Sequence, residues 1–116
     1  MYVDTMVAPV KTARKADYIK ASTELSALFL AHGALGYLEC WGEDVPMGER
    51  TSFPRAVDLA ADETCAVSFI TYPDKATRDA CMGAVMANPR ADALMQDMPL
   101  DGKRMIFGGF EAIVTA

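Results

Sequence analysis

The spacing of apolar positions shifts along this chain, and each shift marks an element. Tyr2 to Val10 (YVDTMVAPV) is rich in β-formers and closes at Pro9, which predicts a first strand. Beyond Thr12, a candidate cap, Tyr18, Ala21, Leu25, Leu28 and Phe29 recur at helical spacing, while Lys15, Lys20 and Glu24 fall on the outer side. A helix is therefore expected over about residues 13–32, ended by Gly33 in the left-handed conformation. Leu35 to Trp41 (LGYLECW) reads as a second strand that leaves at Gly42. The stretch from Gly42 to Glu63 holds Pro46, Gly48 and Pro54 among scattered charges, so it predicts a long loop with a short element around Arg55–Leu59.

Thr64 to Tyr72 (TCAVSFITY) is a third strand with almost no charge. Asp74 is a good N-cap for a helix to about residue 87. Asn88-Pro89 stops that helix and starts a short one to about Met95. Met98 to Gly102 turns the chain, and Lys103 to Val114 (KRMIFGGFEAIV) is the last strand. Gly108-Gly109 in its middle predicts a bulge or the close approach of another group.

The order β-α-β-β-α-β is the ferredoxin-like arrangement, an α+β fold in which helices cover one face of a four-stranded antiparallel sheet. One domain over residues 1–116 is the expected number for this length. A sheet whose second face met water would alternate apolar and polar residues. These strands do not: in the last one Ile106 and Phe110 on one side, and Met105, Phe107 and Ile113 on the other, are all apolar. Such a sheet needs a second cover, and the simplest is the same sheet of another copy, face to face in a two-fold homodimer.

Composition narrows the function. Hydrophobic residues make up 52%, enough to build a core. Eleven Lys and Arg against sixteen Asp and Glu leave a net charge of −5, which argues against a nucleic-acid partner or an anionic membrane surface. Lys103 to Phe110 is a faint echo of an RNA-binding run, broken by Met105-Ile106. No apolar run nears the roughly 20 residues of a membrane span, and the first residues do not read as a signal peptide. Cys40, Cys65 and Cys81 are odd in number and widely spaced, which fits reduced, buried thiols and a cytoplasmic location.

Three separated blocks carry a family resemblance. Glu39-Cys40-Trp41-Gly42-Glu43-Asp44-Val45, the run Tyr72 to Asp79 (YPDKATRD), and Met98 to Glu111 (MPLDGKRMIFGGFE) resemble the YbaA-like family, domain of unknown function 1428. Tyr2-Val3-Asp4 and Gly33-Ala34-Leu35 match too. The resemblance implies a dimeric α+β barrel, the assembly also used by cofactor-free quinol monooxygenases and by several small-molecule binders. It implies no established reaction, substrate or catalytic residue.

The candidate chemistry is sparse. His32 is the only histidine and lies at i+3 from Phe29 and i+4 from Leu28. It reads either as a ring packed at a helix C-terminus or as a general base. Asp4, Glu39, Arg104 and Glu111 fall inside predicted strands, so they must pair, lie at a barrel mouth, or shift in pKa. Either Arg104 and a carboxylate form an ion pair that fixes register, or they make the polar corner of a ligand cavity. Tyr37 and Trp41 flank Glu39 on one strand face, a pattern that suits a flat organic ligand and equally a dimer core. The candidate catalytic residues are thus His32, Asp4, Glu39 and Arg104, and the candidate ligand contacts are Tyr37, Glu39, Trp41 and Arg104. No residue set has metal-ligand spacing, and no flavin, haem or nucleotide motif is present, so no cofactor is expected. Two functions compete: a small-molecule binder or cofactor-independent enzyme with a pocket in a homodimeric barrel, and a non-catalytic assembly or protein-interaction module.

Overall fold

A computed structural model describes all 116 residues. Strands β1 (Tyr2–Lys11), β2 (Gly36–Trp41), β3 (Glu63–Tyr72) and β4 (Ile106–Glu111) form one antiparallel sheet in the order β2-β3-β1-β4. Helices α1 (Lys15–Ala31), α3 (Lys75–Met86) and α4 (Pro89–Asp97) accompany it, with a single turn, α2 (Phe53–Ala56), between β2 and β3. This is the ferredoxin-like α+β fold. No helix is long and apolar enough to cross a membrane.

Local signals set most boundaries. Asp74 Oδ1 accepts the Thr77 N–H at 2.7 Å and caps α3. Asn88 does the same for Arg90 at 2.8 Å, with Pro89 at the first helical position of α4. Gly33 follows α1 at φ +113°. The start of α1 departs from expectation: a 3-10 turn, Thr12–Arg14, precedes the helix, which has no side-chain cap. The reason is that the Thr12 hydroxyl is taken by Thr64 Oγ1 across the β1–β3 pair, at 2.7 Å.

The main core lies between sheet and helices. Leu25 and Phe29 of α1, Tyr72 of β3, Cys81 and Val85 of α3, and Ala91 and Leu94 of α4 pack together there. Each large side chain so buried contributes about 1.5–3 kcal/mol. The second face is where the expectation needs correction. Val7, Cys65 and Val67 point there, and Val57 and Leu59 of the irregular segment pack onto them. The chain therefore supplies part of its own second cover. The rest of that face stays open, with Leu38, Phe69, Ile106 and Phe110 exposed.

β4 is shorter than the sequence pattern suggests. It begins at Ile106 because Arg104 is drawn into a turn, its Nε donating to Asp101 at 2.8 Å. Beyond Glu111 the chain leaves the sheet, with Ile113 and Val114 almost wholly exposed.

Candidate functional site

Alternation along β2 aims Tyr37, Glu39 and Trp41 at α1 and turns Leu38 and Cys40 to the other face. On α1, Tyr18 and Ser22 stand one turn apart, so they present their hydroxyls to the same strand. The result is a closed polar group. The Tyr18 hydroxyl donates to Glu39 Oε2 at 2.6 Å, and Ser22 and Tyr37 donate to Oε1 at 2.9 and 3.2 Å. Ser22 and Tyr37 also lie 3.0 Å apart. No cation joins this carboxylate in an ion pair. Burial, and then the Glu39 charge, push the Tyr18 phenol well above its ordinary range. Burial does the same to Tyr37, against the Ser22 hydrogen bond. Both phenols are therefore held as protonated donors, and the Glu39 oxygens are met by three hydroxyls.

Trp41 closes one end of this group. Its ring packs on Tyr18 with centroids 6.3 Å apart, and the Lys15 ammonium stands 5.4 Å from its centroid. At the other end Tyr37 packs against Phe29 at 5.7 Å. A half-buried aromatic wall, a proton-accepting carboxylate and one ammonium thus share the α1–β2 face. In chemical terms this arrangement sets a carboxylate able to accept a proton beside an aromatic ring and an ammonium able to balance negative charge.

The other candidates lie elsewhere. Asp4, on β1, pairs with Arg78 of α3, not with Arg104: Nε stands 3.0 and 3.1 Å from its two oxygens and Nη2 stands 2.9 Å from Oδ1. The same guanidinium lies 5.2 Å from the Tyr2 ring centre. A Cβ on Gly109 would meet the Tyr2 hydroxyl at 2.5 Å and Arg78 Nη2 at 2.6 Å, so the glycine pair does mark a close approach. Beneath them the Tyr72 hydroxyl is buried with no hydrogen-bond partner.

Arg104 stands on the sheet's second face, away from Glu39. It grips both oxygens of Glu63, at 2.8 and 2.7 Å, and donates to the Asp58 carbonyl at 2.9 Å. Asp58 itself has φ +49°, so this arginine ties a left-handed residue of the irregular segment to the start of β3. The Arg104 guanidinium holds the Glu63 carboxyl down at about 2. His32 caps the end of α1 and is exposed, because the helix stops at Ala31 and the ring leaves the apolar stripe. Glu111 ends β4, exposed and outside any ion pair. Cys65 and Cys81 are buried as expected, whereas Cys40 is exposed on the second face, beside the segment that follows β2. No group of three or more His, Cys, Asp or Glu side chains is placed to hold a metal ion.

Sequence reasoning missed Tyr18, Ser22, Arg78 and Glu63. Ser22 carried a usable signal, being a hydroxyl on the otherwise apolar stripe of α1. Tyr18 looked like core, and nothing local links Arg78 to a carboxylate 74 positions away.

Residues 1–102 match the family described as a protein of unknown function, DUF1428. The chain belongs to the DUF1428 family. A curated relative of this DUF1428 chain is the uncharacterized protein YbaA of Escherichia coli (strain K12), 42% identical over 113 residues that cover 97% of each protein. Among solved structures, a dimeric ferredoxin-like protein from an uncultured marine organism superposes with a TM-score of 0.65 at 6% identity, covering 100% of this chain and 98% of that one. SnoaB, a cofactor-independent oxygenase from Streptomyces nogalater, does so at 0.61 and 15% identity, covering 98% and 95%. At such identities the likeness shows a shared fold alone.

Proposed function

We propose that this DUF1428 protein is a cytoplasmic homodimer, each chain one domain, that binds a small hydroxylated aromatic molecule at the Tyr37–Glu39–Trp41 face. The observation that carries the ligand reading is Glu39, a part-buried carboxylate held by three neutral hydroxyls with no cation, beside Trp41. A carboxylate so held keeps its charge available to a ligand hydroxyl. Trp41 offers the aromatic wall, and Lys15 the balancing charge. If turnover follows, Glu39 is the proton acceptor, and the electron-rich substrate itself supplies the reactivity that a cofactor would otherwise bring. The SnoaB likeness is consistent with such chemistry at the level of fold. Asp4 and Arg104, committed to Arg78 and to Glu63 respectively, serve the scaffold in this reading.

The dimer reading rests on the open half of the second face, where Leu38 of β2, Phe69 of β3, and Ile106 and Phe110 of β4 are exposed. The same exposure favours the second reading, an assembly module without chemistry. One experiment separates them. Trp41 is the only tryptophan, so its fluorescence reports on this face directly. Titration with quinols and hydroxylated aromatic acids, with light scattering in parallel, is expected to show a dimer whose Trp41 emission changes saturably. A ligand at 100 times its Kd should also stabilise the fold by about 2.7 kcal/mol. Glu39→Gln should abolish both effects. A dimer indifferent to the whole panel leaves the assembly reading; a monomer at high concentration removes the dimer.

A further inference from the structure

Where β2 ends, Gly42 brings the chain hard against β3: its N–H donates to the Cys65 carbonyl at 2.8 Å, and a Cβ would stand 2.9 Å from that oxygen. The segment that follows folds back over the second face of the sheet and leaves a cleft of about 310 Å³ between itself and the strands. That volume is at the lower end of the range for small-ligand sites. Val45 and Phe53 from the segment, Val67 from β3 and Trp41 at the end of β2 make its apolar surface. Two free thiols line it as well, Cys40 exposed and Cys65 buried. Burial pushes the Cys65 thiol up, so it is a soft, neutral wall and not a nucleophile.

The only charged groups lining the cleft are Glu43 and Asp44. Both are exposed, and neither enters any ion pair of the chain. Anions are repelled from such an entrance. A bare metal ion finds no set of three ligands there. What fits is a molecule with an apolar body and one positive charge.

We infer that this cleft is a second binding site, for a small hydrophobic amine whose body lies against Val45, Phe53 and Val67 and whose ammonium meets Glu43 and Asp44. It shares Trp41 with the Glu39 site but lies on the other side of β2. Cys40 pairs across to Val67 on the second face, whereas Glu39 points to α1. Glu39 itself does not line the cleft, so a ligand there does not need that carboxylate.

Cys40 supplies the readout. Iodoacetamide alkylation of Cys40 in the full-length protein is followed by mass spectrometry with phenethylammonium, its neutral counterpart 2-phenylethanol, or 3-phenylpropionate present. Phenethylammonium is expected to slow the reaction saturably, with 2-phenylethanol weaker and 3-phenylpropionate weakest. Exposed charge pairs are each worth a fraction of a kcal/mol, so the double variant Glu43→Gln, Asp44→Asn should weaken phenethylammonium roughly fivefold while leaving 2-phenylethanol unchanged. Both positions are exposed, so the fold should tolerate these changes. The inference is overturned if saturating phenethylammonium leaves the Cys40 rate unaltered. Equal protection by all the compounds, or a double variant that binds phenethylammonium as well as the parent, also overturns it. Glu39→Gln, which ends binding at the other site, should leave this protection intact.

Discussion

Asp4 and Glu39 are both carboxylates set in strands and both point into the helical layer, yet they are held in opposite ways. Asp4 meets Arg78 in a bidentate pair, and its charge is cancelled where it stands. Glu39 meets only Tyr18, Ser22 and Tyr37, which solvate the charge without cancelling it. The contrast teaches that burial of an acid is not in itself a sign of function. What counts is whether the compensation is a full opposite charge, which fixes the group, or neutral donors, which leave the charge free to act on a ligand.

The sharpest way to break this comparison is to remove each partner in turn. Arg78→Leu strands Asp4 in a site only 13% exposed and should cost about 3 kcal/mol in urea denaturation. Glu39→Gln removes no cation's partner but leaves one buried hydroxyl without its acceptor, and should cost about 1–2 kcal/mol. Equal losses would mean that both groups are scaffold.

Glu63 extends the comparison, being cation-paired like Asp4. Its carboxyl falls from the ordinary 4.5 to about 2 in the folded protein. A depressed folded value gives stability that is complete above about pH 4.5 and lost as pH drops toward 2. Thermal unfolding between pH 6 and pH 2.5 should therefore show an acid limb that Glu63→Gln flattens. An unchanged limb would assign the acid sensitivity to other carboxylates.

The smallest effect is expected at Tyr72, next to the Asp4–Arg78 pair. Its buried hydroxyl has no partner, so Tyr72→Phe should leave stability unchanged or raise it by up to about 1 kcal/mol. A clear loss in calorimetry would mean that the phenol does engage Asp4.

The elements were legible because their causes are local. Asp74, Asn88-Pro89 and Gly33 each act within a few residues, and β1 to β3 carry their own β-formers. The crowding at Gly109 was legible as a need for space, though not which side chains fill it. The pairing of charges was not legible. Arg104 has one acid within a few residues, Asp101, and nothing in its surroundings selects Glu63, which approaches only once β1 and β3 are aligned. The partial self-cover was hidden for a similar reason. Pro54, Val57 and Leu59 look like stray apolar residues in an irregular stretch until the sheet beneath them exists. Of the candidate site, the line Tyr37–Glu39–Trp41 followed from alternation, while its partners on α1 depended on how the helix rotates over the strand.

In the proposed homodimer, the strap of residues 42–62 works as a dial on self-association. Every apolar side chain it lays on the sheet is one that no neighbour can use. Relatives with a longer strap should be drawn toward solitary life, and those with a shorter one toward tighter pairing, without any change in the strands. Arg104, by clamping the strap at Asp58, would set that dial in the proposed dimer.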